Sequence, residues 1–409
     1  MYDTKKIRGD FPIFKNYPIM QGKRFCYLDN AATSFKPKQV IDGITYYYEY
    51  LSANSHRGDY DLAHSVDVKY DEARQVVADF INAKKEEVCF TSGTSESLNI
   101  IAFGLSSILE EGDEILISEA EHASNVLPWF SIAKTRKANV KYVPLSKSGE
   151  ITKENFEKSI TSKTKIVSLA MVTNVLGKIV DVKSLASIAH KHNCIFVVDG
   201  AQSVPHIKTD VKDLDCDFLA FSGHKMCGPT GIGVLYGKYD LLCKIPPLLT
   251  GGGMNSRFDT CGNILYQIPP LKFEAGTQNI AGALGLAEAC KYLNEIGLDN
   301  IEEHERKQRE KIIEAFRHNP DIILYNEDAS TGIITFNFKD VFAQDGASLL
   351  NSKGVCVRSG QHCAKILLDF LKADATIRAS LYLYNDDEDI DQFIDACKHG
   401  KDFLDAFFN

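Results

Sequence analysis

The chain has 409 residues, 44% hydrophobic and 25% charged, with 46 Lys and Arg against 55 Asp and Glu, for a net charge of −9. This composition excludes a mainly disordered chain, allows two or three domains with a large core, and argues against a general nucleic-acid or anionic-membrane binder. The eleven cysteines include no Cys-x-x-Cys pair, which reads as reduced thiols and not as a disulfide framework.

The opening MYDTKKIRGDFPIF lacks the apolar centre of a secretory signal. No apolar run approaches the roughly 18 residues of a membrane span, so the expectation is a soluble, cytoplasmic protein. Val66, Tyr70, Ala73, Val77 and Phe80 recur at alternating spacings of four and three, which predicts one buried helix face. Residues 87–91 read as a strand, followed by a Ser-Gly-Thr turn and a helix over about 95–109, with Gly112 as its stop. Two apolar runs, 165–172 and 194–198, flank a helical pattern over 181–192. That order predicts an α/β fold, a mostly parallel sheet with helices on both faces. A further short strand is expected over 218–221. Residues 251–275 open with three glycines and carry Pro269-Pro270, which suggests a long loop or hairpin between domains or subunits. Helices are expected over 281–296 and 300–318. A smaller C-terminal α/β domain then closes with a helix over about 387–408, placing Ile390, Phe393, Ile394, Cys397 and Leu404 on one face.

The most informative stretch is Val197-Val198-Asp199-Gly200-Ala201-Gln202-Ser203, followed by Ser222-Gly223-His224-Lys225. Asp199 falls at the carboxyl end of a strand, where open α/β sheets bind ligands. Lys225 follows 26 residues later, after the next short strand. A lysine and an aspartate at adjacent strand ends suit pyridoxal phosphate: the amine attaches the cofactor and the carboxylate keeps the ring nitrogen protonated. Singly, each also reads as a surface lysine or a strand-end cap; together, with Ser222, His224 and the following Gly-Pro-Thr-Gly, they favour the cofactor site. Ser92-Gly93-Thr94-Ser95 joins a strand to a helix and offers N–H groups and hydroxyls to a phosphate dianion. Ordinary helix capping explains Thr94 and Ser95 equally well on their own. Ten cysteines read as small packing residues. Cys363 follows Arg358-Ser359-Gly360-Gln361-His362, where nearby cations favour a thiolate; from the residues alone, catalytic and structural roles fit it equally.

These motifs resemble the class V aminotransferase superfamily. More narrowly, the chain resembles the group II cysteine desulfurases of the Suf sulfur-mobilisation system and the related selenocysteine lyases. The likeness runs from Ile7-Arg8-Gly9-Asp10-Phe11-Pro12 and Tyr27-Leu28-Asp29-Asn30-Ala31-Ala32, through Asn54-Ser55-His56-Arg57-Gly58 and Phe273-Glu274-Ala275-Gly276-Thr277. It ends on Arg358-Ser359-Gly360-Gln361-His362-Cys363-Ala364 and Arg378-Ala379-Ser380-Leu381-Tyr382-Leu383-Tyr384-Asn385, the two most specific motifs.

The resemblance implies a type I fold of pyridoxal-phosphate-dependent transferases. Its parts would be an N-terminal arm (1–22) packed with the small domain, a large cofactor-binding domain (23–292) and a small C-terminal domain (293–409) carrying the Cys363 loop. Lys225 would hold the cofactor, Asp199 its ring nitrogen, Gln202 its ring hydroxyl and His122 its ring face. Thr94, Ser95, Ser222 and His224 would bind the phosphate, with Thr277 supplied by the other subunit of a homodimer. Asn174, Arg378, Arg358 and His56 would hold the substrate, the guanidinium fork suiting a carboxylate. His122 also fits a buried structural histidine, and Arg358 a solvated or interface arginine. No metal is expected.

The implied reaction converts L-cysteine to L-alanine. Lys225 acts as base on Cα, and the Cys363 thiolate takes the sulfur as a persulfide for a Suf acceptor protein and iron–sulfur cluster assembly. The nearest alternatives are a selenocysteine lyase acting on L-selenocysteine and a cysteine sulfinate desulfinase; an aminotransferase or a non-catalytic scaffold fits the motifs less well. Two departures from the family pattern stand out: Ala123 follows His122 where many relatives repeat the histidine, and Lys365-Ile366 replaces the usual proline context after Cys363-Ala364.

Overall fold

The computed structural model describes residues 2–55, 58–398 and 400. Its centre is a seven-stranded sheet in the order Val88–Thr91, Gly233–Gly237, Phe218–Ser222, Ile195–Asp199, Thr164–Ala170, Glu114–Ser118, Asn139–Val143. Only Gly233–Gly237 runs against the others. Thr91, Ser118, Ala170, Asp199 and Ser222 therefore all end at one edge.

Alternation along each strand sends side chains to two separate cores. Phe196, Val198, Leu219 and Phe221 pack on one face with Val66, Tyr70 and Val77 of the helix Asp61–Phe80 and with Leu185 and Leu286. Val197, Phe218 and Ala220 pack on the other with Leu98, Ile101 and Leu105 of Thr94–Leu105 and with Trp129. The five residues expected on one helical face, Val66, Tyr70, Ala73, Val77 and Phe80, are all buried. A second, antiparallel sheet runs Ile322–Leu324, Ile333–Phe338, Thr376–Ser380, Arg358–Gly360. Leu298–Arg317, Ala343–Ser352 and Asp387–Lys398 contribute Phe316, Leu350 and Phe393 to its core.

Several boundaries differ from the sequence reading. The helix expected over about 95–109 starts at Thr94 and stops at Leu105, before a 3-10 turn over Ser106–Ile108. The hydroxyls of Ser106 and Ser107 bond back to the carbonyls of Phe103 and Gly104, competing with further helical bonds. Gly112, expected as the stop, lies in the next turn at φ 90°. The strand expected over 165–172 ends at Ala170. Residues 251–275 contain a hairpin, Asn255–Phe258 with Ile264–Tyr266, whose Phe258 and Leu265 are exposed. The final helix is described to Lys398; Leu404 and the rest of the expected segment lie outside the described residues. All eleven cysteines are free. The packing role expected of ten holds for seven buried ones, but Cys356 is half-buried, and Cys243 and Cys261 are exposed.

A buried ion pair ties the helix Asp61–Phe80 to the sheet edge and to the Phe273–Thr277 motif. Arg74 Nη1 and Nη2 donate to Glu274 at 2.6 and 2.8 Å, and Glu274 also accepts from Phe90 N–H and the Tyr70 hydroxyl. Glu274→Gln leaves the guanidinium without its counter-charge and should lower unfolding stability by about 3–5 kcal/mol in denaturant titration. Replacing both partners by methionine should cost clearly less.

Candidate active site

The shared strand edge assembles the site. Asp199 ends its strand, Ser222 ends the neighbouring one, and the turn Gly223–Lys225 then delivers Lys225. Both lie in a cavity of about 200 Å³ whose wall also includes Gln202 and His122. Asp199 is buried and accepts from Ala201 N–H at 2.9 Å. Burial raises its carboxyl above the usual range, against the pull of that bond and of Lys225. Burial pushes the Lys225 ammonium down to about 8, opposed by Asp199. His122 falls to about 4 through burial and the Lys225 charge, so its ring is neutral. Its Nδ1 accepts from Ser124 N–H at 3.1 Å, which puts the ring proton on Nε2.

One end of the cavity is a hydroxyl cradle at the start of Thr94–Leu105. Thr94 N–H donates to Ser222 Oγ at 2.8 Å, and the Thr94 and Ser222 hydroxyls are 2.7 Å apart. Ser95 pairs with Ser124 at 2.6 Å. Backbones crowd there: a Cβ on Gly233 would lie 2.4 Å from Gly93 Cα. His224 also lines this end. Its carbonyl accepts from Ser34 N–H at 2.9 Å and from Thr33 Oγ1 at 3.0 Å, and burial lowers its imidazole to about 4.

The other end carries two arginines. Arg358 and Arg378 face each other across antiparallel strands, an arrangement of like charges that is unfavourable without an anion between them. Arg378 is buried; its Nη1 donates to Asn174 O at 2.8 Å and its Nη2 lies 3.4 Å from Asp29. Asn174 Nδ2 donates to His362 O at 2.9 Å. Arg358 Nη2 lies 3.9 Å from the sulfur of the exposed Cys363.

The cavity thus gathers Lys225, Asp199, Gln202, His122, Thr94, Ser95, Ser222, His224, Asn174, Arg358 and Arg378. Thr277 is not among its lining residues; it is exposed and accepts from Asn54 Nδ2 at 3.2 Å. His56 lies outside the described residues. Two acids escaped the sequence reading. Asp29 pairs with Arg378, and Glu121 is buried beside His122. Glu121 accepts from Ser118 Oγ at 2.5 Å, Asn125 Nδ2 at 2.7 Å and Ala170 N–H at 3.0 Å. Burial pushes its carboxyl up to about 8. The one available signal for Glu121 was a charged residue three positions beyond the apolar strand Glu114–Ser118.

The lining fits pyridoxal phosphate. Gln202 Oε1, Asn174 Oδ1 and Arg378 Nε are buried without a protein partner, an unmet demand that a polar ligand satisfies. The desolvated Asp199 carboxylate calls for a cation, and the hydroxyl cradle for an oxyanion. Among the described residues, no group of three or more His, Cys, Asp or Glu is placed to hold a metal, and no helix is long and apolar enough to cross a membrane.

The sequence profile of the class-V aminotransferases matches residues 26–393. The chain belongs to this family. A probable cysteine desulfurase of Halalkalibacterium halodurans is 44% identical over 405 residues, covering 97% of this chain and 99% of that protein. One from Staphylococcus aureus is 44% identical over 410 residues, with 98% of each covered. The fold matches the apo cysteine desulfurase of Thermococcus onnurineus at TM-score 0.92 and 38% identity over 98% of both chains. It matches the cysteine desulfurase CsdA of Escherichia coli at TM-score 0.91 and 34% identity over 98% of this chain and 99% of that one. For a class-V member, the depressed Lys225 has a measurable consequence. Burial disfavours the ammonium, so the free amine forms around pH 8 and not near 10.5. With Lys225 as the attachment point expected from the sequence, cofactor capture by the cofactor-free protein, followed by stopped-flow absorbance, should accelerate with pH through about 8. Asp199→Asn, which removes the supporting negative charge, should move that midpoint lower.

Proposed function

We propose that the protein is a pyridoxal-phosphate-dependent cysteine desulfurase in which Lys225 holds the cofactor and Cys363 receives the sulfur. The observation carrying this reading is the convergence in one site of the Lys225–Asp199 pair, the hydroxyl cradle and the opposed arginines, with the Cys363 thiol 3.9 Å from one guanidinium. Asp199 would hold the ring nitrogen, Gln202 the ring hydroxyl and His122 the ring face. Thr94, Ser95, Ser222 and His224 would hold the phosphate. Pyridoxal phosphate, when bound, supplies an electron sink for charge developing on the substrate.

The chain's own residues do the rest. Arg378, backed by Asp29 and Asn174, clamps the carboxylate of L-cysteine, and Arg358 adds a second positive charge. The Lys225 amine takes the Cα proton and later returns a proton. The Cys363 thiolate forms an S–S bond to the substrate sulfur as the carbon–sulfur bond breaks, and that bond's electron pair stays with the carbon fragment. In sum, L-cysteine and the enzyme thiol give L-alanine and the enzyme persulfide.

The reading extends to a division into an arm (1–22), a large domain (23–292) and a small domain (293–409). It also includes a cytoplasmic homodimer in which Thr277 of one subunit serves the other's site, with His56 among the substrate-binding residues. A sulfur-acceptor protein of the Suf type would collect the persulfide sulfur for iron–sulfur cluster assembly. Contacts from the N-terminal segment, such as Tyr2 to Leu383 O at 2.6 Å and Arg8 to Asp389 at 2.8 Å, support joining the arm to the C-terminal part.

Cys363→Ser should keep the cofactor absorbance while losing persulfide and about a hundredfold or more of alanine formation from L-cysteine. Full turnover in that variant refutes the assignment. Lys225→Ala should lose the absorbance of the lysine-held cofactor.

A further inference from the structure

The turn that presents Cys363 is held from behind. His362 and Cys363 are consecutive non-glycine residues in the left-handed region, at φ 52° and 57°. L-residues adopt that conformation at a cost and keep it where their surroundings impose it. The carbonyls of both are tied down, His362 O by Nδ2 of the cavity residue Asn174 at 2.9 Å and Cys363 O by Ala123 N–H, next to His122, at 2.8 Å. Downstream, Ala364 and Leu367 are buried with Ala120, Leu145 and Leu176.

The remaining anchor is the His362 side chain. It is 2% exposed, and its Nε2 lies 3.0 Å from Thr376 O and 3.1 Å from Thr376 Oγ1. Burial lowers the imidazole to about 3, so the ring is neutral and Nε2–H serves as donor to the Thr376 carbonyl. Thr376 is the cross-strand partner of Gly360, and its strand also carries Arg378. The ring therefore pins the turn to the strand that positions one of the two arginines. The reaction outlined above gives this histidine no role.

We infer that His362 is a positioning residue for sulfur transfer: its ring, pinned to Thr376, keeps the 361–364 turn in the form that sets the Cys363 thiol beside Arg358. The inference rests on the reading of Cys363 as the residue that receives the sulfur. It predicts a defect concentrated in the step that needs the thiol, because the Lys225 base is delivered by the other sheet, at the turn after Phe218–Ser222.

The test uses His362→Ala and His362→Asn in the cofactor-loaded protein, with Cys363→Ser alongside. For His362→Ala, kcat for alanine from L-cysteine should fall about tenfold or more while KM changes less than about threefold. Deuterium incorporation at Cα of L-alanine, which needs the Lys225 base but no thiol, should stay at the wild-type rate. Amide hydrogen exchange should accelerate in peptides covering 119–126 and 358–368 and stay unchanged over 195–225. Asparagine tolerates left-handed backbone, so His362→Asn should recover part of kcat. Wild-type kcat in His362→Ala, or equal losses in desulfuration and Cα exchange, overturns the positioning role. Full turnover by Cys363→Ser overturns both readings, whereas an inactive Cys363→Ser beside a fully active His362→Ala overturns this one alone.

Discussion

Removing a lysine and an aspartate from water at the same strand edge is the constraint around which the site is arranged. Each charge is costly when buried alone, and here burial drives the two in opposite directions, Lys225 toward neutral amine and Asp199 toward neutral acid. The parallel strands allow this because their ends converge on one edge while their hydrogen bonds are satisfied along the ladder. A lysine kept partly neutral is a nucleophile and a base; a carboxylate short of solvent is a strong partner for a ring cation.

The second sheet contributes the two arginines. Its antiparallel register sets Arg358 opposite Arg378, while Ile377 and Ala379 alternate into the core behind. The segment after the Thr164–Ala170 strand stitches the two sheets together: Asn174 O accepts from Arg378, Val175 O from Thr335 Oγ1, Leu176 O from Asn326 and Gly177 O from Thr331. Lys225 and Asp199 on one side and the two arginines on the other thus belong to different sheets joined by one backbone strip. A small shift of that strip would change the distance between Lys225 and Arg378.

The sequence carried the large sheet and the cofactor end of the site well, because both rest on local signals. Strand-length apolar runs mark the parallel strands, and Asp199 and Lys225 each sit within a motif. It carried poorly what depends on pairing across distance. Nothing near Asp29 announces that it meets Arg378, and nothing near His362 announces Thr376. Glu121 is recognisable only once Ser118, Asn125 and Ala170 are seen to surround it. The error at Gly112 had a local cause, since two serines compete for the helix's last carbonyls. Cys243 sits in a short helix beside apolar residues, a setting that resembles a packing position although the thiol is exposed.

The distribution of thiols bears on where sulfur can stray. A persulfide passes its outer sulfur by attack of another thiolate, so an acceptor must be both reachable and ionised. Cys216 and Cys227 are buried and pushed up to about 12, and burial raises Cys26, Cys290 and Cys397 as well. Under the proposed reaction these thiols are insulated from the sulfur that Cys363 would carry. Besides Cys363, Cys243 and Cys261 are exposed and Cys356 is half-buried, so under the proposed reaction sulfur that strays onto this chain's own thiols would meet Cys243 and Cys261 before any buried one.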